Sequence, residues 1–297
     1  MSAGRRFTLL VNPSAGGGRT LGLLRDVDIA LRERGLAHRV VMTESLEHGC
    51  AQARTAAEAG EIPVVMSGDG LIGQIGGALA GAAVPMGIVP GGRGNDLARV
   101  LGIPADPEGA VDVLATGAER SIDVGEVNDK RFLCVASCGF DSDANRIANE
   151  ARLVRGRLVY LYAALRALVA WKPARFALTL DGEQRELVGF AVAAANSKAY
   201  GGGMYIAPDA RLDDGLLDVV CTGQVTKLRA LVNLPKVFDG SHTDDDWVSV
   251  SRAAELRIEA DRPFAVYADG DHLADLPATV RVLPGALRVI APEPDPS

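Results

Sequence analysis

Through the first third of the chain, short unbroken apolar runs alternate with stretches whose apolar residues recur every three or four positions. Phe7–Val11, Ala37–Met42, Ile62–Met66 and Val84–Val89 read as strands. Thr20–Arg34, Glu47–Ala59, Leu71–Leu79, Asp96–Leu101 and Pro107–Ala115 read as helices between and after them. Continuously apolar strands need cover on both faces, so this part is predicted to be a parallel sheet between helices.

After about Ser121 the pattern changes. Short runs rich in β-branched residues, bounded by Gly, Asp or Pro, dominate: Ile122–Val127, Arg131–Cys138, Arg175–Leu180, Glu186–Ala194, Leu216–Thr222, Glu255–Ala260, Phe264–Ala268 and Thr279–Leu283. They predict a second, mainly antiparallel domain, a sandwich or flattened barrel. Helices are expected at Asp143–Ala151, Leu158–Trp171 and Lys227–Pro235. The expected division is an α/β domain over 1–121 and a β-rich domain over 122–285. A last strand within 286–292, Leu287–Ala291, is expected to return to the first domain.

Three glycine-rich loops stand at the ends of predicted strands. They are Asn12-Pro13-Ser14-Ala15-Gly16-Gly17-Gly18-Arg19, Ser67-Gly68-Asp69-Gly70-Leu71 and Pro90-Gly91-Gly92-Arg93-Gly94-Asn95-Asp96. Glycines let a backbone approach a ligand closely and turn its N–H groups to phosphate oxygens. A helix that starts just beyond adds its positive dipole end. In an open parallel sheet ligands sit beyond the carboxyl ends of the strands, where all three loops fall. The pattern predicts a nucleotide phosphate site.

Composition narrows the partners. A net charge of −7 argues against a general nucleic-acid binder. Cys50, Cys134, Cys138 and Cys221 contain no C-x-x-C pair, so they read as buried free thiols in a reducing compartment. Residues 1–8 lack the apolar stretch of a signal peptide, and no run of about 20 apolar residues predicts a membrane span. The expectation is a cytoplasmic protein with a frayed tail over 292–297. Arg152, Arg155, Arg157, Arg166, Lys172 and Arg175 flank the apolar runs 158–165 and 167–171, with no acidic residue over 151–175. This block reads either as a core helix with solvated ends or as peripheral contact with anionic lipid at the inner membrane face.

The ordered motifs resemble the diacylglycerol kinase catalytic family, which includes bacterial lipid kinases and sphingosine kinases. They are Asn12-Pro13 with its glycines, Ser67-Gly68-Asp69-Gly70, Gly94-Asn95-Asp96 with Leu101-Gly102-Ile103-Pro104, Gly201-Gly202-Gly203-Met204, Ile206-Ala207-Pro208, Leu212-Asp213-Asp214-Gly215-Leu216 and Asp269-Gly270-Asp271. The resemblance implies an α/β nucleotide domain like that of NAD kinases and phosphofructokinases, followed by a β-rich lipid-substrate domain. It implies an ATP- and Mg2+-dependent lipid kinase acting on a membrane-derived hydroxyl, with diacylglycerol first. A long-chain-base kinase and a nucleotide- or lipid-binding protein without transfer activity are the alternatives. A homodimer stays open.

Residue by residue, the resemblance implies nucleotide contacts at Asn12, Pro13, Ser14, Ala15, Gly16, Thr43, Gly68, Asp69, Gly70, Leu71, Gln74, Arg93, Asn95 and Asp96. Thr43 reads equally as the cap of the following helix. Asp271 stands at the general-base position of bacterial members, and Asp69 at the carboxylate credited with that role in sphingosine kinases. Without the family, Asp269-Gly270-Asp271 reads as a hairpin turn. The family's magnesium motif falls on the side chain of Asp214 and the carbonyls of Arg211 and Leu216, whose bland reading is an acidic turn. Asp244-Asp245-Asp246 reads as a solvated loop, and His272 as an exposed residue beside a turn.

Several positions depart from the family. Ser67 and Leu71 replace its Gly and Thr, a variant similar to sphingosine kinases. Gln74 replaces a glutamate, Arg93 a threonine, and Asp271 the final glutamate of Asp-Gly-Glu. An arginine forks onto phosphate oxygens more strongly than a hydroxyl. Gln74 cannot take a proton or hold a cation as a carboxylate does.

Overall fold

The protein is described by a computed structural model, which covers residues 5–140 and 171–293. The chain divides into two compact units, Met1–Val124 with Pro284–Ser297, and Gly125–Leu283.

In the first unit, β1 (Arg6–Val11), β2 (Ala37–Met42), β3 (Ile62–Ser67) and β4 (Gly87–Pro90) form a parallel sheet in the order β2-β1-β3-β4. Leu9, Leu10 and Val11 of β1 and Val64, Val65 and Met66 of β3 are fully buried, as a sheet covered on both faces requires. The helices are α1 (Arg19–Glu33), α2 (Leu46–Glu58), α3 (Asp69–Leu79), α4 (Asp96–Val100) and α5 (Pro107–Thr116). From β1 the chain steps out to β2, then crosses back to β3 on the other side. Right-handed crossovers therefore put α1 on one face and α2 and α3 on the other. The contacts agree: α2 packs on α3, and α1 on α5. The strand order reverses between β1 and β3, which is where sheets of this kind bind ligands.

Strand β5 (Ala118–Val127) leads into the second unit. There follow β6 (Lys130–Phe132), β7 (Val135–Gly139), β8 (Ala174–Leu180), β9 (Glu183–Ala195), β10 (Leu217–Gly223), β11 (Val248–Ala253), β12 (Glu255–Ala260), β13 (Ala265–Ala268), β14 (Asp271–Asp275) and β15 (Ala278–Ala291). The sheet runs β14-β13-β7-β9-β8-β12-β15-β5-β6, with β10 on β9 and β11 on β10. Its resolved pairings from β7 to β14 are antiparallel. Phe132, Phe176, Val192, Val219, Leu256 and Val280 fill the core. Each such fully buried side chain contributes roughly 1.5–3 kcal/mol before entropy is counted. Beyond Leu283, β15 lies in the first unit, where Met86 N donates to Arg288 O at 2.8 Å and Ile290 N to Met86 O at 2.9 Å.

The expected parallel α/β part and antiparallel part are both present. Some element boundaries differ. The run Arg131–Cys138 is not one strand but β6 and β7, parted at Leu133-Cys134. The runs 279–283 and 287–291 are one strand, β15, which continues through Pro284-Gly285 because the Gly285 N–H donates to Asp123 Oδ1 at 2.7 Å. Helix α3 starts at Asp69 rather than Leu71, and the helix expected to reach Pro235 ends at Asn233. The sequence reading missed β11, although Val248-Ser249-Val250-Ser251 alternates as a half-buried strand does, and β14, whose five residues include only Leu273 and Ala274 as apolar ones. The helices expected at 143–151 and in 158–170 lie outside the described residues. Trp171 is described: it is 4% exposed, with ring centroids 6.1 Å from Phe190 and 5.7 Å from Phe264, so it belongs to the core. Among the described residues no helix is long and apolar enough to cross a membrane.

Candidate active site

The three glycine loops leave the carboxyl ends of β1, β3 and β4 and touch one another. Asn12 N donates to Met66 O at 3.3 Å, and Gly91 N to Ser67 O at 2.8 Å. At two places the loops come too close for any side chain. A Cβ on Gly16 would stand 2.5 Å from Gly91 O, and one on Gly92 would stand 2.4 Å from Gly68 Cα. These glycines are needed for loop-to-loop packing, independently of any ligand.

Polar side chains fix the loop shapes. Asn12 Oδ1 accepts from Ser14 N at 3.0 Å and Ser14 Oγ at 2.9 Å, which shapes the turn through Pro13. Thr20 Oγ1 donates to Ala15 O at 3.2 Å. Asn95 is left-handed (φ 52°), and its Oδ1 accepts from Gly92 N at 2.9 Å. Asp69 ties the second loop to the third: Oδ2 accepts from Asn95 N at 2.8 Å and Oδ1 from Asp96 N at 2.6 Å. Two N–H groups at the start of α4 thus meet the two oxygens of one carboxylate. Asp96 is itself buried. Arg93 is exposed, and a terminal nitrogen of its guanidinium lies 3.7 Å from where a Cβ on Gly17 would sit. Arg93 therefore brings a cation to the first loop.

Not every expected contact faces outward. Leu71 is buried, with Cδ1 3.1 Å from the Cβ position of Gly49, so only its backbone is offered to a ligand. Ser67 is 2% exposed. Gln74 and Gly70 are partly exposed. Thr43 is not the cap of α2. That cap is Ser45, whose Oγ accepts from His48 N at 3.1 Å, while Thr43 Oγ1 donates to Val11 O at 3.3 Å at the end of β1.

In the second unit, the turn between β13 and β14 is Asp269-Gly270, and Asp271 is the first residue of β14, partly exposed. His272 is exposed, with Nε2 3.0 Å from Asp275 Oδ1. Asp214 Oδ1 accepts from Leu216 N at 3.1 Å, and Arg211 pairs with Asp213 at 3.3 Å. Beside this turn lies Asp218, which sequence reasoning missed because it reads as one polar residue in a strand. It is 2% exposed and 3.3 Å from Arg252, and its Oδ2 has no hydrogen-bond partner among the described residues. Burial pushes its carboxyl above the usual carboxylate range; Arg252 opposes this, while Asp214 and Asp209 add to it. Among the described residues, no cluster of three or more His, Cys, Asp or Glu side chains is placed to hold a metal ion. Asp245 and Asp246 are not merely solvated: they pair with Lys236 and Arg229, each at 2.6 Å. All four cysteines are free, but only Cys134 and Cys138 are buried as expected, while Cys50 and Cys221 are partly exposed; loss of solvent around its sulfur still pushes the Cys221 thiol up to about 11.

The sequence model of the diacylglycerol kinase catalytic domain matches residues 6–127, and that of the YegS C-terminal NAD kinase beta sandwich-like domain matches 134–291. The chain is 34% identical to a diacylglycerol kinase of Mycobacterium tuberculosis, covering 98% of this chain and 99% of that one. The chain belongs to the diacylglycerol kinase family. A second relative in this family, from Chromohalobacter salexigens, is named "probable lipid kinase YegS-like" and is 31% identical over 89% of this chain and 86% of its own. A crystal structure of a diacylglycerol kinase from Bacillus anthracis has the same fold, with a TM-score of 0.77 at 21% identity and 98% coverage of both chains. The family reading drawn from the motifs is borne out, and with it the enzyme class, a lipid kinase.

Proposed function

We propose that this lipid kinase transfers the γ-phosphoryl group of ATP to the free hydroxyl of diacylglycerol, giving phosphatidic acid and ADP. The observation that carries the nucleotide half is the meeting of three glycine loops at the carboxyl ends of β1, β3 and β4, with Arg93 beside Gly17. The N–H groups of Gly16 and of residues 69–71, the first turn of α3, bind the phosphates, and the starts of α1 and α3 add their dipoles. Arg93 takes phosphate oxygens in a fork. Asn95 and Asp96 are held in place by Asp69, and Thr43 closes the end of β1.

In the transfer, the lipid hydroxyl oxygen bonds to the γ-phosphorus as the bond to the bridging oxygen breaks, and ADP leaves with that electron pair. Asp271 takes the hydroxyl proton. Most of the catalysis lies in positioning and charge. Magnesium, when bound with ATP, neutralises charge on the phosphates. A second cation would be held by the Asp214 side chain with the carbonyls of Arg211 and Leu216.

Ser67 and Leu71, which raised the long-chain-base alternative, are both buried, so their side chains offer no contact to a substrate. Diacylglycerol is the favoured acceptor because relatives from Mycobacterium tuberculosis and Bacillus subtilis are named diacylglycerol kinase. Labelled ATP with a panel of micellar lipids tests this: phosphatidic acid should be the main product. Preferred phosphorylation of a long-chain base overturns the acceptor, and no product with any lipid overturns the transfer.

Two further results are expected. Arg93→Ala should raise the ATP KM at least about tenfold, the loss of one charge-assisted contact, and leave the lipid KM within about twofold. An unchanged ATP KM removes Arg93 from the site. Magnesium should raise the Tm of the wild type by a few degrees but not that of Asp214→Ala. Equal rises by calorimetry in both place that cation elsewhere.

A further inference from the structure

We propose that Asp269 is a positioning residue for the transfer: its carboxylate anchors the turn that carries Asp271. The proposal rests on the reading of Asp271 as the base.

Asp269 and Gly270 are the two residues between the paired Ala268 and Asp271. Their φ angles are 51° and 95°, the left-handed pair of a tight hairpin turn. Such a turn sets its own shape but not its place, since a short hairpin can tilt as a body. The Asp269 side chain supplies the place. Oδ2 accepts from Leu133 N at 2.7 Å, while Oδ1 accepts from Cys134 N at 3.1 Å and Val135 N at 3.2 Å.

These three N–H groups lie where β6 ends and β7 begins, and their residues are buried. The same segment is fixed through its carbonyls. Asn196 N and Ser197 N donate to Cys134 O at 2.8 and 3.1 Å, and Asn196 Nδ2 donates to Leu133 O at 2.8 Å. Asp269 thus clamps the turn to a frame already held by β9 and its end.

Three converging donors need an all-acceptor group. A carboxylate has about four lone-pair sites, whereas an amide would turn an NH2 toward an N–H. Three successive N–H groups around one anion also form the concavity that favours negative charge. Turned to these donors, Asp269 is the anchor and not the proton acceptor. The anchor matters more here than in a chain with glutamate at 271. Aspartate is one methylene shorter, so its reach must come from the backbone, and a misplacement of about 1 Å can lower turnover about 100-fold.

Asparagine tolerates a left-handed φ as aspartate does, so Asp269→Asn removes the anchor chemistry and keeps the backbone preference. Steady-state kinetics with labelled ATP and diacylglycerol on wild type, Asp269→Asn, Asp271→Asn and the double variant make the test. Asp269→Asn should lower kcat at least about 30-fold with the ATP KM within about twofold. In the Asp271→Asn background it should change kcat less than about threefold, because the group it positions is gone. Amide exchange at 133–135 should speed up. Wild-type kcat in Asp269→Asn overturns the proposal. So does an undiminished loss in the Asp271→Asn background, which marks a general folding defect. If Asp269→Asn melts below the assay temperature, Asp269→Glu, which keeps the carboxylate but moves the turn, replaces it in the same cycle with the same two outcomes. Failure of the base reading has its own sign: Asp271→Asn alone then turns over like wild type, and the positioning role falls with it.

Discussion

Asp271→Asn is expected to bind ATP with unchanged affinity and to lose at least about 100-fold in kcat and kcat/KM together. A group used only in the transition state has that signature, and general-base help is worth about 100- to 10,000-fold. The amide keeps size and shape but takes no proton. Asp271→Glu, which places the family's usual residue there, should retain activity or gain it. Calorimetric ATP titration and a lipid phosphorylation assay read both effects. Turnover by Asp271→Asn near the wild-type rate removes it as the base.

The second large effect is expected at Asp69. Asp69→Asn should lower turnover at least about 100-fold, the loss expected of a carboxylate to which the family resemblance gives the base or metal-holding role. The geometry adds a separate consequence. Both oxygens accept N–H groups, from Asn95 and Asp96. An amide would set its NH2 against one of them and loosen the third loop. The ATP KM should therefore rise with the fall in kcat, unlike Asp271→Asn. Turnover within about threefold of wild type sinks the role. A dead Asp69→Asn beside an active Asp271→Asn moves the base to Asp69.

Much of this was legible from sequence because it depends on short-range pattern. Strands buried on both faces, such as Ile62–Ser67, announce themselves as unbroken apolar runs. Glycine clusters at their ends mark loops that must pack closely, and the family motifs fall on those loops. What sequence hid depends on contacts between distant residues. Nothing in Arg131–Cys138 signals that a carboxylate 134–136 positions away claims the N–H groups of Leu133 to Val135 and interrupts the strand. Nothing near Pro284-Gly285 signals that Asp123 replaces a ladder contact and lets β15 run on. Thr43 and Ser45 are both good caps by type; only the backbone angle of entry into α2 selects Ser45. Ser67 and Leu71 look like specificity residues in a motif, and only burial shows that they face the core.

Because Arg288 and Ile290 bond to Met86, the α/β unit is not one contiguous stretch of chain. A gene fragment ending near residue 124 would yield the nucleotide loops on a sheet whose edge beside β4 has lost the bridge from Val289 to Met86. Bare strand flanks recruit strands from other molecules. Such a fragment is thus prone to self-association, and a frameshift just before the codon for Pro284 harms the nucleotide unit although it spares every residue of its glycine loops. Isolating that unit calls for grafting residues 284–293 back onto it, or for circular permutation through the old termini.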